Sequence, residues 1–172
     1  RLSLVGSEMC IRDRYERVPC DRTVCIFVVL SQIKGEKMKN CAVILAGGEG
    51  KRMKSDKPKT LSEVLGRPML CWVMSALRKA GIDDICVVKG FKKECVEEYL
   101  STLDFSVESV FQAERLGTGH AVMMAKDFLK KHSGNVVILN GDAPFMDSKT
   151  IEDSLKAHIE NGCAATVISA KV

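Results

Sequence analysis

Cys41-Ala42-Val43-Ile44-Leu45-Ala46-Gly47-Gly48-Glu49-Gly50-Lys51-Arg52-Met53, followed by Lys57-Pro58-Lys59, is the stretch on which the fold turns. An apolar run from Cys41 to Ala46 stops at Gly47, Gly48 and Gly50. Glycine lacks a Cβ, so backbone N–H groups there can approach a ligand closely. Successive N–H groups in such a turn form a concavity that binds anions. Arg52 and Lys59 place two cations beside it. The pattern predicts a strand whose end meets a polyphosphate.

Outward from that strand, apolar runs alternate with amphipathic helices. Pro68 suits the first turn of a helix. Leu70, Val73, Met74 and Leu77 then follow the i, i+3, i+4, i+7 spacing of one buried face, and Gly81 ends the helix. Strands are predicted over Asp84 to Val88, Val107 to Phe111, Asn135 to Leu139 and Ala164 to Ala170. A charged helix is expected near Lys92 to Leu100. Another begins near Gly119, burying Val122, Ala125 and Phe128 or Leu129. A third, from about Ser148 to Glu160, places Ile151, Leu155 and Ile159 on its inner face. Such alternation predicts an α/β fold, a mostly parallel sheet with helices on both faces. Ligands of these sheets bind beyond the carboxyl ends of the strands. The polar loops Gly47 to Lys59, Gln112 to Gly119 and Asn140 to Pro144 all follow strand ends, so they share one rim.

The chain has 172 residues and a net charge of +4, scattered in pairs such as Lys92-Lys93 and Lys130-Lys131. With no basic stripe, one Trp and two Tyr, nothing favours nucleic acid as a partner. The longest apolar run, Val24 to Leu30, falls far short of the ~20 residues a membrane span needs. Eight cysteines, at positions 10, 20, 25, 41, 71, 86, 95 and 163, form no C-x-x-C. Cys41, Cys71, Cys86 and Cys163 lie on apolar segments and are expected to be buried free thiols, which fits a cytoplasmic location.

The chain begins at Arg1, and residues 1–37 show no clean periodicity. Met38 stands directly before the first predicted strand. Leu4 to Arg14 resembles translated sequencing-adapter DNA. Residues 1–37 are therefore expected to be a non-native or disordered extension, with residues 38–172 forming the N-terminal portion of the domain. On that expectation, a chain starting at Met38 keeps its full stability. The rival reading makes Ile26 to Leu30 a genuine edge strand. The chain ends at Val172 just after a predicted strand, which reads as C-terminal truncation.

Two familiar phosphate motifs fail on spacing. A dinucleotide fingerprint needs Gly at position 53, which is Met; a Walker A motif needs Gly at position 45, which is Leu, and Ser or Thr at position 52, which is Arg. What remains, Leu45-Ala46-Gly47-Gly48-Glu49-Gly50-Lys51-Arg52-Met53 with Pro58-Lys59, resembles the signature of the sugar-phosphate nucleotidylyltransferases. Gln112-Ala113-Glu114-Arg115-Leu116-Gly117-Thr118-Gly119-His120-Ala121 is similar to the uracil-reading segment of the bacterial N-acetylglucosamine-1-phosphate uridylyltransferases. Asn140-Gly141-Asp142-Ala143-Pro144 resembles their metal-binding G-D-x-P. The resemblance covers residues 38–172.

The resemblance implies a Rossmann-like nucleotide-diphospho-sugar transferase fold. It implies a transfer in which UTP and N-acetylglucosamine 1-phosphate give UDP-N-acetylglucosamine, a cell-wall precursor, and pyrophosphate. The sugar phosphate is itself the nucleophile, so catalysis reduces to positioning and charge neutralisation. Carried over by position, Leu45, Ala46, Gly47 and Gly48 contact the nucleotide through their backbone. Arg52 neutralises the departing pyrophosphate and Lys59 the reacting phosphates. Gln112, Gly117 and Thr118 read the base; for Gln112 the alternative is a solvated strand end. His120 has a structural role rather than that of a base. Asn140, Gly141 and Asp142 complete the nucleotide loop. Asp142 follows an apolar strand directly, where a carboxylate needs a partner, and Mg²⁺ is the cofactor implied. The family often has Ala at the position of Gly47 and Thr at that of Lys51. By the resemblance, sugar-binding segments and a left-handed β-helix acetyltransferase domain would lie downstream, full-length relatives are trimers, and this chain is a monomer without competent turnover. The alternatives are a molybdopterin guanylyltransferase, another sugar-phosphate nucleotidylyltransferase, or a non-catalytic nucleotide-binding module.

Overall fold

A computed structural model describes residues 23–31, 39–50 and 57–171. In chain order the elements are β1 (Thr23–Ser31), β2 (Cys41–Ala46), β3 (Glu63–Val64), β4 (Arg67–Pro68), α1 (Met69–Lys79), β5 (Asp84–Lys89) and α2 (Lys93–Ser101). There follow β6 (Glu108–Phe111), α3 (Thr118–Met124), α4 (Lys126–Leu129), β7 (Asn135–Asn140), α5 (Ser148–Glu160) and β8 (Ala165–Lys171).

Six strands form one sheet in the order β6-β5-β2-β7-β1-β8. β6, β5, β2 and β7 run parallel. β1 is antiparallel to both of its neighbours. The parallel strands must be covered on both faces, and they are. On one face Ala42, Ile44, Val87, Val137 and Leu139 meet Leu70, Met74 and Leu77 of α1, Val96 of α2, and Ile151 and Leu155 of α5. On the other, Val43, Val88, Val136 and Ile138 meet Ala121 of α3, and Ala125 and Phe128. The alternation of Ala42 and Ile44 against Cys41 and Val43 is the two-residue period of a strand buried on both sides. The α/β fold expected from the sequence is the one observed.

The stretch Thr23–Ser31 falls within the segment read as an extension. Here it is a strand between β7 and β8, with Val28 and Val29 buried. The pattern Val24-Cys25-Ile26-Phe27-Val28-Val29-Leu30 is β-branched and aromatic, which suits a pleated, buried surface. Its partners lie more than a hundred residues away, so no local periodicity announces the pairing.

Two helix faces also differ from expectation. On α5 the third inner position belongs to His158, 1% exposed, while Ile159 is 53% exposed. Counted from Ile151, position 158 lies seven residues on and returns to the buried stripe more nearly than position 159. On the opposite side of the sheet Ala121 is buried where Val122 was expected; Val122 is half-buried. Cys41 and Cys86 are buried free thiols, and burial pushes both up to about 12. Cys71 and Cys163 are only half-buried.

His158 joins β1 to its surroundings. The Ser31 hydroxyl donates to the Cys163 carbonyl at 3.0 Å, which spends its only hydrogen. His158 Nε2–H must therefore donate to Ser31 Oγ, at 2.7 Å, and Nδ1 accepts from Thr166 Oγ1 at 2.8 Å. Burial holds the imidazole below its usual pKa, so the folded chain favours the neutral ring. The unfolded chain takes up a proton at about pH 6.5, before the folded one does. The resulting stability is present above that pH and lost as pH falls below it. The urea midpoint should therefore fall between about pH 7.5 and about pH 5.5, and fall less in His158→Asn. An equal fall in both chains would show that His158 is not its source.

The pairing of β1 also revises the expected effect of shortening the chain. Burial of two valines contributes about 3–6 kcal/mol. At ~2–4 °C per kcal/mol for a chain of this size, a protein starting at Met38 should melt roughly 6–24 °C below the 172-residue chain. Equal melting temperatures would mean that the sheet does not depend on β1.

Candidate functional site

The polar loops after β2, β6 and β7 emerge at the carboxyl ends of parallel strands, on one rim of the sheet. Leu45 and Ala46 close β2, and the loop Gly47 to Gly50 follows. Leu45 O accepts from Gly141 N at 2.9 Å, which ties the end of β2 to the start of the loop after β7. A Cβ on Gly141 would stand 2.9 Å from Thr60 Cγ2 and 3.1 Å from Leu45 O, so any larger residue would crowd this contact.

Lys59 lies in a short 3₁₀ turn, Lys59–Leu61, that begins behind the buried Pro58. The Gly50 backbone packs directly on its side chain: a Cβ there would be 2.9 Å from Lys59 Cβ. Lys59 Nζ donates to Asp142 Oδ2 at 2.6 Å. The two side chains are 40% and 35% exposed, so the pair lies open to a ligand. Arg52, the other cation singled out in the sequence, lies outside the described residues together with Lys51 and Met53.

Gln112 stands at the other end of the rim. Its backbone N–H donates to Lys89 O at 2.8 Å, which sets it just beyond the ends of β6 and β5. It is 5% exposed, not a solvated strand end. Its side-chain Nε2 donates to Gly117 O at 3.2 Å and lies 3.1 Å from His120 Nδ1. Its Oε1 would be 3.1 Å from a Cβ on Gly47, so Gln112 and the glycine loop are neighbours. Gly117 has φ +104, a conformation L side chains rarely adopt, and it precedes Thr118, the first residue of α3. Gly48 and Thr118 are exposed; Asn140 is half-buried as the last residue of β7.

Further residues, given no role in the sequence analysis, help to assemble the rim. A Cβ on Gly90 would lie 2.7 Å from Gly47 O and 2.8 Å from Gly47 Cα. Phe91 N donates to that same carbonyl at 3.2 Å. A glycine directly after an apolar strand, as at Gly47, was the available signal. Arg115 and Glu49 form an ion pair at 2.8 Å and link the loop after β6 to the glycine loop. No local pattern pairs residues so far apart. Beneath the rim, Lys89 is buried with its ammonium on Glu97 and, at 3.1 Å, on Ser109.

The donor set bears on the implied metal. Among the described residues, no group of three or more His, Cys, Asp or Glu could hold an ion. Asp142 offers one carboxylate, already on an ammonium. That set fits Mg²⁺ carried in with phosphates, since Mg²⁺ is commonly held by one or two carboxylates, phosphate oxygens and waters. It does not fit an ion held by protein alone.

Known proteins resemble this chain in sequence and fold. The bifunctional protein GlmU of Clostridium beijerinckii is 49% identical over 135 residues, 78% of this chain and 29% of that protein. This chain thus spans under a third of the curated relative's length. A solved UDP-glucose pyrophosphorylase from Acinetobacter baumannii superposes with a TM-score of 0.62 at 24% identity, over 73% of this chain and 54% of that one. A UTP-bound UGPase from Acinetobacter baumannii superposes at 0.50 with 28% identity, over 58% of this chain and 45% of that one. The family model of the MobA-like NTP transferase domain matches residues 42–171, from the first residues of β2 to the end of β8. A glycine loop at the end of a central parallel strand, facing a lysine–aspartate pair on the same rim, thus belongs to a member of the MobA-like NTP transferase family.

Proposed function

We propose that residues 38–172 carry the nucleotide-binding part of a cytoplasmic sugar-phosphate uridylyltransferase. Its substrates are UTP and N-acetylglucosamine 1-phosphate; its products are UDP-N-acetylglucosamine and pyrophosphate. The observation that carries this reading is the Lys59–Asp142 contact on the rim that also bears the glycine loop and Gln112. The GlmU relative supports the choice of sugar phosphate, and the UTP-bound UGPase supports the choice of nucleotide.

In this reaction an oxygen of the sugar phosphate attacks the α-phosphorus of UTP. The bond from that phosphorus to the bridging oxygen breaks, and pyrophosphate leaves with the electron pair. No side-chain nucleophile is required. Backbone N–H groups from Leu45 to Gly48 hold the phosphates, in a loop kept close to β5 by the Gly47–Gly90 contact. Lys59 neutralises the reacting phosphates, and Arg52 the departing pyrophosphate. Gln112, with the backbone of Gly117 and Thr118, holds the base. When bound, Mg²⁺ supplies further charge neutralisation, held by Asp142 and the phosphates. Lys59 then serves two states: it compensates Asp142 in the empty site and meets phosphate in the filled one.

Binding to the 172-residue chain tests the assignment. UTP should displace a fluorescent nucleotide at lower concentration than GTP; equal or better displacement by GTP favours the guanylyltransferase reading. Lys59→Ala should weaken UTP binding about 10- to 100-fold, the loss of one charge-assisted contact.

The metal has its own test. Mg²⁺ alone should leave the melting temperature unchanged, whereas Mg²⁺ with UTP should raise it above UTP alone. Asp142→Asn should erase that increment and keep Mg²⁺-free UTP binding. An increment that survives the substitution would remove Asp142 from the metal site. UTP binding that never depends on Mg²⁺ would favour a non-catalytic module.

A further inference from the structure

The geometry points to His120 as a positioning residue that, together with the Gly117 carbonyl, holds the end of the Gln112 amide that faces the base and so strengthens the site's choice between keto and amino bases. The inference rests on the proposed reading, in that it takes Gln112 to meet the base of a bound nucleotide.

A glutamine amide has an NH₂ end that only donates and a carbonyl end that only accepts. Gly117 O is a pure acceptor 3.2 Å from the Gln112 amide, so the NH₂ end must face it. The second amide hydrogen then points to His120 Nδ1, 3.1 Å away. That nitrogen must be bare to accept it, so the neutral imidazole carries its hydrogen on Nε2. Both amide hydrogens are thereby engaged within the protein. The carbonyl oxygen is turned the other way, toward Gly47, where it would stand 3.1 Å from a Cβ. Gln112 is 5% exposed, so its amide is boxed in and cannot reorient at little cost.

A carbonyl turned toward the ligand asks for an N–H. Uracil, thymine and guanine carry a ring N–H beside an exocyclic carbonyl. Cytosine and adenine carry a bare ring nitrogen at the equivalent position, and two acceptors would then face each other without a hydrogen between them. Leaving a polar group unpaired in this way is how a hydrogen-bonding site rejects the wrong partner. Base choice is then written in the polarity of one amide, and the amide's polarity is anchored at two points, a backbone carbonyl and the His120 ring. His120 touches no substrate in this account. It is a positioning residue, and it explains a histidine on α3 that needs no role as a base.

The test uses the 172-residue chain and its UTP-to-CTP affinity ratio, measured by competition. Wild type should prefer UTP. His120→Leu removes the acceptor and keeps apolar bulk, and should lower the ratio about tenfold, the effect of one freed amide hydrogen. His120→Asn can set a carbonyl where Nδ1 stands and should restore the ratio. Imidazole ¹⁵N spectra of the wild type should show a bare Nδ1 and a protonated Nε2, a signature that mere packing would not require. A ratio unchanged in His120→Leu, or a hydrogen on Nδ1, overturns the inference while the uridylyltransferase reading stands. Wild type that binds UTP and CTP alike also overturns it. Wild type that binds no nucleotide at all overturns the reading beneath it, and this inference with it.

Discussion

Backbone touching backbone is the constraint on which the rim depends. At Gly90 an added Cβ would collide with the Gly47 carbonyl and Cα, and at Gly141 it would meet the Thr60 methyl and crowd Leu45 O. These contacts draw the ends of β5 and β7 in upon the end of β2, so the loops beyond them meet. Gly47 itself is less strict. A Cβ there would meet Gln112 Oε1 at 3.1 Å, a few tenths of an ångström too close, and a side chain can yield that much. A small side chain could therefore be accommodated at Gly47. At Gly90 the obstacle is main chain, which has nowhere to go.

The ionic contacts across the rim read differently once their exposure is considered. Lys59–Asp142 and Glu49–Arg115 are both substantially exposed. Exposed pairs contribute about 0–1 kcal/mol, so neither explains why the loops adopt these positions. The glycine contacts and the buried strands do that. What the Lys59–Asp142 pair does is hold a cation and a carboxylate ready at a place where water and a ligand can reach them. Lys89 is the contrast. Its ammonium is buried and compensated by Glu97, whose carboxyl that contact holds below the usual range. Removing Glu97 would leave an uncompensated buried charge directly under Gly90. The rim therefore has a loose ion pair where the site is open and a tight one beneath it in the scaffold.

Most of the fold could be read from local pattern because most of its elements are local. β2 and α5 occupy the stretches their periodicity predicted, and the rim loops follow their strands as expected. That Asp142 needs a partner was legible, since a carboxylate at the end of a buried strand is costly alone; the partner expected was Mg²⁺, and the one observed is the Lys59 ammonium. Three things were hidden. β1 pairs with strands distant in sequence, so its place inside the sheet is not written in the segment, although the run Ile26 to Leu30 left room for an edge strand. His158 was passed over in favour of Ile159 because hydropathy ranks isoleucine higher, although helical geometry favours the histidine once Ser31 and Thr166 satisfy its ring. The β3–β4 hairpin was missed because Leu65 adopts a positive φ beside Gly66, a turn conformation in which a leucine is unexpected.

The placement of β1 bears on how site and stability are divided. The strands that deliver the candidate site, β6, β5, β2 and β7, are contiguous. β1 and β8 lie beyond them on one side, and neither contributes a residue to the rim described above. β1 pairs with β7 along Phe27 to Ser31, and its Val28 and Val29 each join the core on one face of the sheet. It therefore acts on the site only through β7, whose last residue is Asn140 and whose next two are Gly141 and Asp142. β7 is held from its other side by β2, and the Leu45–Gly141 hydrogen bond fixes its end there directly. The position of Asp142 is thus set chiefly from the β2 side, by contacts that do not involve β1. Stability and site geometry are separable in this sheet: one depends on the whole of it, the other on four strands and the glycines that let their ends meet.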